Sequence, residues 1–359
     1  MDVRPSAPQQ LLIATARDYL RRHCPIELVH RLAGDARGHD DKLWRGIAEL
    51  GWPGLLVPSD LGGSDGSLLD VVLLVEELGY AGVPSPFITS AVAATMLLAH
   101  ASDEQGRRWL PALASGDAIA TLAVAEDGVT EVGAVTAAVS GGRLTGRKLY
   151  VKDAHIADHL LVAVRDGVVV VPAGAPGVSR TPLDSMSGER LFAVTLDAVA
   201  VDARGWIAGH AALRAALEAG ALARTAEMVG AAQRVLEMTV EHARTRVQGG
   251  RAIGGHQAIQ HACADMVRDV DASRELLHLA AWRASEALPA SADIATAKAY
   301  AGEACLAVAR RAHQIFGAIS YCDEHALHLF HKRMLAASLD FGDAALHLET
   351  VARAIGLEA

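Results

Sequence analysis

Gly249-Gly250-Arg251-Ala252-Ile253-Gly254-Gly255 has the glycine density of a loop that wraps phosphate. His325, His328 and His331 recur at three-residue spacing, which lines imidazoles along one helix face where a metal could bind. Each pattern also has an ordinary reading. The glycine stretch follows a helix instead of a strand, the wrong context for a dinucleotide-binding fold. The histidines have no carboxylate ligand on another element at readable spacing, so a polar helix face is expected and no metal. Cys24, Cys263, Cys305 and Cys322 lie far apart without a C-x-x-C pair, which speaks against a zinc knuckle and a disulfide framework and for buried small hydrophobes. A serine nucleophile lacks its Gly-x-Ser-x-Gly elbow.

The elements that must carry any site follow from composition and period. The chain has 359 residues, long enough for two or three packed units, and is 51% hydrophobic with only 4% aromatic, so Ala, Leu and Val must fill its core. A net charge of -9 argues against a nucleic-acid or anionic-membrane partner. The opening Met1-Asp2-Val3-Arg4-Pro5 has no positive flank leading into an apolar run, and no stretch of about 18 apolar residues occurs, so a soluble cytoplasmic protein is expected.

From Leu11 to about His100 apolar residues recur at helical spacing, with Gly51 as a C-cap before Pro53 and an amphipathic helix from Ser67 to Tyr80. Near Asp117 the pattern changes to short β-branched runs: Ile119 to Val124, Val132 to Val139, Leu160 to Val164, Val168 to Val171 and Phe192 to Leu196. Gly141-Gly142 and Asp166-Gly167 between them read as hairpin turns. From Ala211 the helical period resumes over roughly Ala211 to Thr245, Ile253 to Leu288, Ile294 to Phe316 and His325 to Leu335, followed by a short last helix, as in an antiparallel four-helix bundle. The expected class is α+β: a helical domain over 1–116, a small antiparallel barrel or sandwich over 117–206, and a helical bundle over 207–359.

Arg246-Val-Gln-Gly-Gly, then Gln257, then Ala264-Asp265-Met266, resembles the Arg-x-x-Phe-Gly, Gln and Ala-Asp-Met segment of the flavin-dependent acyl-CoA dehydrogenase family. Leu50-Gly51-Trp52, Pro58 with Gly62-Gly63, and Glu76-Glu77-Leu78-Gly79 match that family's N-terminal marks. Helices, then sheet, then helices is also its architecture. The resemblance implies FAD, with Arg246, Gln257 and Gln314 reaching a cofactor held mainly by a neighbouring subunit and Phe316-Gly317 in the second lending segment. There Ala318 and Ser320 replace two glycines that allow close backbone approach, and Gly249 stands where an aromatic normally covers the cofactor.

The family's base is a Glu in a turn before the last helix, where this chain has Asp340-Phe341-Gly342-Asp343 with Phe341 at the Glu position. A minority place it in the first bundle helix, where Gly220 stands, and Glu218 two residues earlier is rotated away by about 200°. Asp340 and Asp343 are the remaining catalytic candidates, although Asp343 before Ala344-Ala345-Leu346 also reads as an N-cap. The flavin-gripping Thr-Glu-Pro strand appears as Val124-Ala125-Glu126-Asp127-Gly128-Val129-Thr130. The strand that stacks on flavin reads Gly146-Arg147-Lys148-Leu149-Tyr150-Val151-Lys152, where Tyr150 can still stack and Lys152, in place of Thr, reads equally as a solvated lysine or a flavin contact.

The resemblance thus implies a cofactor-completing subunit of a heteromeric FAD-dependent acyl-CoA dehydrogenase, most like the short, altered subunits of actinobacterial steroid-side-chain enzymes. The implied partners are a second acyl-CoA dehydrogenase-type chain, an acyl-CoA, and electron-transfer flavoprotein or a similar acceptor. Two other readings stay open: a self-sufficient dehydrogenase using a non-standard Asp base, and an oxidase or monooxygenase on the same fold.

Overall fold

Helices open and close the chain and strands fill its middle. In chain order the helices are α1 (Ala7–His23), α2 (Ile26–Gly34), α3 (Asp41–Glu49), α4 (Leu68–Ala81), α5 (Thr95–Ala99), α6 (Asp103–Ala114), α7 (Ala211–Thr245), α8 (Gln257–Ser285), α9 (Ser291–Phe316), α10 (Leu327–Leu339) and α11 (Ala344–Ala354). Between α6 and α7 run β1 (Ala120–Ala123), β2 (Ala138–Ser140), β3 (Arg143–Lys152), β4 (His159–Val164), β5 (Gly167–Pro172), β6 (Val178–Leu183), β7 (Leu191–Ala200) and β8 (Trp206–Ala208). A two-strand ribbon, β9 (Val247–Gln248) and β10 (Arg251–Ala252), joins α7 to α8. This computed structural model describes residues 4–128 and 134–357. Val129, Thr130 and the Val132 start of the expected second strand lie outside them. Among the described residues no helix is long and apolar enough to cross a membrane.

Contacts divide the chain into two compact units, one from Leu32–Ser67 and Pro84–Gly220, the other from Met1–Arg31, Leu68–Val83 and Ala221–Ala359. The first holds two four-stranded sheets, ordered β1-β4-β5-β8 and β2-β3-β7-β6. Gly141-Gly142, both at positive φ, turn β2 into β3, and Asp166-Gly167 turns β4 into β5. One pair departs from the expected antiparallel pattern: β1 lies parallel to β4. Strand β4 explains the stacking, because its apolar run is buried on both faces. Leu161 and Ala163 pack toward α5, α6 and the first turns of α7, while Leu160, Val162 and Val164 pack with Leu144, Val194 and Val199 of the other sheet. A buried π-helical stretch, Phe87–Ala94, leads into α5 and meets β1, where Ser90 Oγ accepts the Ala120 N–H at 3.1 Å.

The second unit is the helical bundle. Alanines at buried positions let α8 and α9 pack closely, with α10 and α11 against α9 and α1 against α4. The tightest crossing joins α4 to α7. A Cβ on Gly79 would lie 2.3 Å from the Glu227 carbonyl oxygen, and one on Gly230 would lie 1.9 Å from that of Glu76. Only glycine fits either side, which gives a physical reason for the end of Glu76-Glu77-Leu78-Gly79. The two glutamates are anchors as well. Glu76 binds Arg274 at 3.0 Å and His278 at 2.5 Å, and Glu77 takes both bonds of the Arg17 fork at 2.8 Å.

Candidate functional site

One end of the bundle gathers the residues that the resemblance assigns to cofactor lending. His242, in the last turns of α7, stacks on Phe316, the last residue of α9, with ring centroids 4.3 Å apart. That stack holds the ends of the two helices side by side. Arg246 donates its N–H to the His242 carbonyl at 2.8 Å, and its own carbonyl receives Ile253 N–H at 2.9 Å after the β9–β10 ribbon has turned back. The ribbon turns at Gly249 and Gly250, with φ of 64° and 81°, so the glycine-rich stretch is a hairpin and not a phosphate loop. Gln257 opens α8. Arg246, Gln257 and Gln314 are all exposed, and none makes a side-chain hydrogen bond or ion pair among the described residues. Their polar groups are available to a ligand or a partner.

Beyond Phe316 the chain turns at Gly317, whose φ of 74° and ψ of −152° suit glycine. Ser320, which replaces a glycine of the family pattern, is fully buried: its Oγ donates to the Gly317 carbonyl at 2.7 Å and accepts His313 Nδ1–H at 2.8 Å. His313 itself stacks on Tyr321 at 4.4 Å and lies 5.0 Å from the His331 ring. Burial and then the imidazoles of His331, His325 and His328 hold His313 down at about 4, so it is neutral. The histidine trio therefore belongs to a larger imidazole cluster. Among the described residues no group of three His, Cys, Asp or Glu side chains is placed to hold a metal.

The turn at the family's base position is held from four sides. Phe341 and Gly342 both have left-handed backbones, with φ of 56° and 99°. Asp340 Oδ2 binds Arg224 Nε at 2.7 Å while Oδ1 accepts the Phe341 N–H at 3.1 Å. Lys298 Nζ donates to the carbonyls of Ser338 at 2.8 Å and Gly342 at 2.7 Å. His347 Nε2 donates to the Phe341 carbonyl at 3.0 Å, and Asp343 caps α11 by accepting the Leu346 N–H at 2.9 Å. Burial pulls Lys298 down to about 8 although Asp340 counters it. Arg224 is 1% exposed and also pairs with buried Glu227, which in turn binds Arg333 Nε at 2.6 Å. Burial works against the Glu227 charge, yet Arg333 and Arg224 keep its carboxyl below the usual range. In this network both carboxylates of the turn are already engaged, Asp340 by a guanidinium and Asp343 by a helix end.

Tyr150 lies in the other unit, at a bulge of β3 where the register with β7 shifts. Its φ is 56° and its side chain is 64% exposed, a strained and outward-facing aromatic of the kind that marks functional surfaces. Two residues on, Lys152 is half-buried in an ion pair with Glu189 rather than free in solvent. The neighbouring loop is fixed by a buried pair: Lys148 Nζ meets Glu126 Oε1 at 2.6 Å and also donates to the Val124 carbonyl at 3.1 Å. Glu126 further accepts Thr136 N–H and Oγ1–H, both at 2.6 Å, and Ala137 N–H at 3.0 Å. Burial opposes its charge, but those bonds hold Glu126 down at about 2.

Sequence reasoning missed Arg224, Glu227, Lys298 and the His313 to Ser320 contact. One signal was present: a lone Arg and a lone Glu three residues apart in an otherwise small, apolar stretch of α7 mark a buried ion pair.

Residues 6–117 match the family description "Acyl-CoA dehydrogenase, N-terminal domain" and residues 208–356 match "Acyl-CoA dehydrogenase, C-terminal domain". The acyl-CoA dehydrogenase IpdE2 of Mycobacterium tuberculosis is 31% identical over 332 residues, covering 92% of this chain and 91% of that one. Among solved structures, the ChsE4-ChsE5 complex from Mycobacterium tuberculosis superposes with a TM-score of 0.92 at 30% identity over 100% of both chains. The Tcur3481-Tcur3483 steroid ACAD does so at 0.89 and 29% identity over 97% of both.

Proposed function

This chain belongs to the acyl-CoA dehydrogenase family, and from that premise we propose that it is the cofactor-completing subunit of a heteromeric FAD-dependent enzyme that desaturates an acyl-CoA thioester. The observation that carries the reading is the contrast between its two halves. The lending edge, with Arg246, Gln257 and Gln314, is exposed and uncommitted. The base turn, with Phe341, Asp340 and Asp343, is closed by Arg224, Lys298 and a helix cap.

The fit to a flavin divides the same way. A flavin supplies the hydride acceptor that desaturation needs, and the guanidinium of Arg246 and the amides of the two glutamines suit its pyrophosphate and polar edges. The strand that would hold the ring fits poorly. Lys152 and Glu189 fill the flavin edge with an ion pair, and Tyr150 alone is left to stack. A second copy of this chain would bring another lending edge and another closed turn. The partner that completes a site is therefore a different acyl-CoA dehydrogenase-type chain, carrying the base and the flavin pocket. Exposed Val247, Val267, Ile319, Tyr321, Leu348 and Ile355 on the bundle supply apolar surface for such an interface. The likeness to two paired assemblies, one of them a steroid ACAD, supports a bulky steroid-type acyl group, and the family matches over 6–117 and 208–356 support a three-part division at 1–116, 117–206 and 207–359.

A self-sufficient enzyme needs a free base, and Asp340 would have to leave Arg224 to become one. The test is co-purification of the tagged chain from its native host, followed by an absorbance scan and acyl-CoA addition. The expected result is a second family chain, with flavin in the complex and none in the isolated subunit. A yellow homogeneous chain bleached by acyl-CoA would establish the self-sufficient reading instead.

A further inference from the structure

At the lending edge, the Gly317 carbonyl points inward. Ser320 Oγ–H donates to it at 2.7 Å, and that hydroxyl is oriented by His313 Nδ1–H at 2.8 Å. Ser320 is fully buried and His313 is 4% exposed, so their mutual contact is sheltered from water, while the Gly317 carbonyl that it serves lies part-buried at the exposed turn. The tautomer is set by the chemistry of the chain of bonds. The Ser320 proton is spent on Gly317, so its oxygen can only accept, and His313 must carry its proton on Nδ1. His313 Nε2 is consequently a bare, buried acceptor without a partner among the described residues. Stacking on Tyr321 fixes the ring plane, and His331 flanks it.

A trans peptide holds its C=O and the next N–H antiparallel. Fixing the Gly317 carbonyl inward therefore fixes the Ala318 N–H in the opposite direction, on the side of the turn where Ala318 and Gln314 are exposed. We propose that the His313 to Ser320 to Gly317 relay is a positioning device that aims the Ala318 N–H at a phosphate of the dinucleotide held by the partner chain. The proposal rests on the cofactor-completing reading and adds to it two residues, His313 and Ser320, that act without touching the cofactor. It also accounts for the serine in place of glycine: its hydroxyl is drawn out of the path of an approaching phosphate and set to orient the peptide instead.

The test uses the complex purified from the native host through a tag on this chain, stripped of flavin and titrated with FAD by fluorescence. Ser320→Ala and His313→Phe keep the packing and remove the relay, and each is expected to raise the FAD dissociation constant roughly tenfold, the weight of one hydrogen bond to a charged group. His313→Asn, whose amide N–H can replace Nδ1–H, is expected to bind like wild type, an outcome that a merely structural role for the ring does not give. Arg246→Ala is titrated alongside. If it weakens FAD while Ser320→Ala and His313→Phe bind as wild type, the relay proposal is overturned and the lending reading stands. If all three bind as wild type, the reading beneath it fails too. Should His313→Phe lose the folded circular dichroism spectrum, Ser320→Ala alone decides.

Discussion

Replacing Asp340 by Asn separates a structural carboxylate from a catalytic one. Asp340 is one of two anions that meet Arg224, a guanidinium only 1% exposed, and the other, Glu227, is shared with Arg333. Breaking a fully buried ion pair from one side costs about 3–5 kcal/mol, and an exposed pair only about 0.2–1. Asp340 is 36% exposed while its partner is not, so the loss belongs between those limits, about 1–3 kcal/mol. Glu227→Gln leaves Arg333 without its carboxylate and Arg224 with Asp340 alone, and falls at the upper limit, about 3–5 kcal/mol. Urea unfolding followed by circular dichroism measures both. A double-mutant cycle of Arg224→Met with Asp340→Asn isolates the pair, and a coupling of about 1 kcal/mol or more is expected. Asp340→Asn with a wild-type urea midpoint, or a larger loss there than in Glu227→Gln, refutes the reasoning. Asp340→Asn that abolished acyl-CoA-dependent bleaching at unchanged stability would instead identify a base.

Three further outcomes are expected. Glu126→Gln strands Lys148, whose ammonium is fully buried, and should destabilise the strand-bearing unit by about 3–5 kcal/mol in urea unfolding, with Lys148→Met in the same chain recovering part of the loss. His313 titrates lower in the folded state than its ordinary 6.5, so the unfolded chain binds the proton first and stability falls as pH drops from about 6.5 to about 4. That loss is at most roughly 3.5 kcal/mol, and urea midpoints measured between those pH values should show it flattened in His313→Asn, whereas Glu126 acts in a separate window, from about 4.5 down to about 2. Gly230→Ala drives a methyl to within 1.9 Å of the Glu76 carbonyl oxygen and should lower thermal stability by at least the cost of an overpacked core, roughly 1–3 kcal/mol. A Gly230→Ala chain that melts with wild type would mean that α4 and α7 can separate freely.

The long helices could be read because an apolar stripe at a 3.6-residue period survives any tertiary context, and Gly141-Gly142 could be read because two left-handed residues in a row make one kind of hairpin. The N-cap role of Asp343 was visible from position alone. Strand β6, Val178–Leu183, was not, since it is a largely polar strand at the edge of its sheet with a proline and no alternation to betray it. The extended pairing of β3 was hidden for another reason. Its register with β7 shifts twice, and each shift breaks the period-two pattern. At the candidate site, residue types were legible and commitments were not. Arg224 finds Asp340 at 116 residues' separation, and whether the Ser320 hydroxyl turns inward depends on a histidine ring seven residues away.

The glycine crossing of α4 and α7 acts as a register pin. Each backbone occupies the space where the other's side chain would be, so neither helix can slide or roll without a collision at Gly79 or Gly230. The α7 carbonyl at that contact belongs to Glu227, and Arg333, bound to Glu227, also donates to the carbonyls of Gly82 at 2.9 Å and Val83 just beyond α4. Two bare helix faces and one forked side chain thus lock three helices as mechanical parts of a single gear. A slippage of one residue along α4 cannot be absorbed locally. It would have to carry α10, and the turn that follows it, along with it.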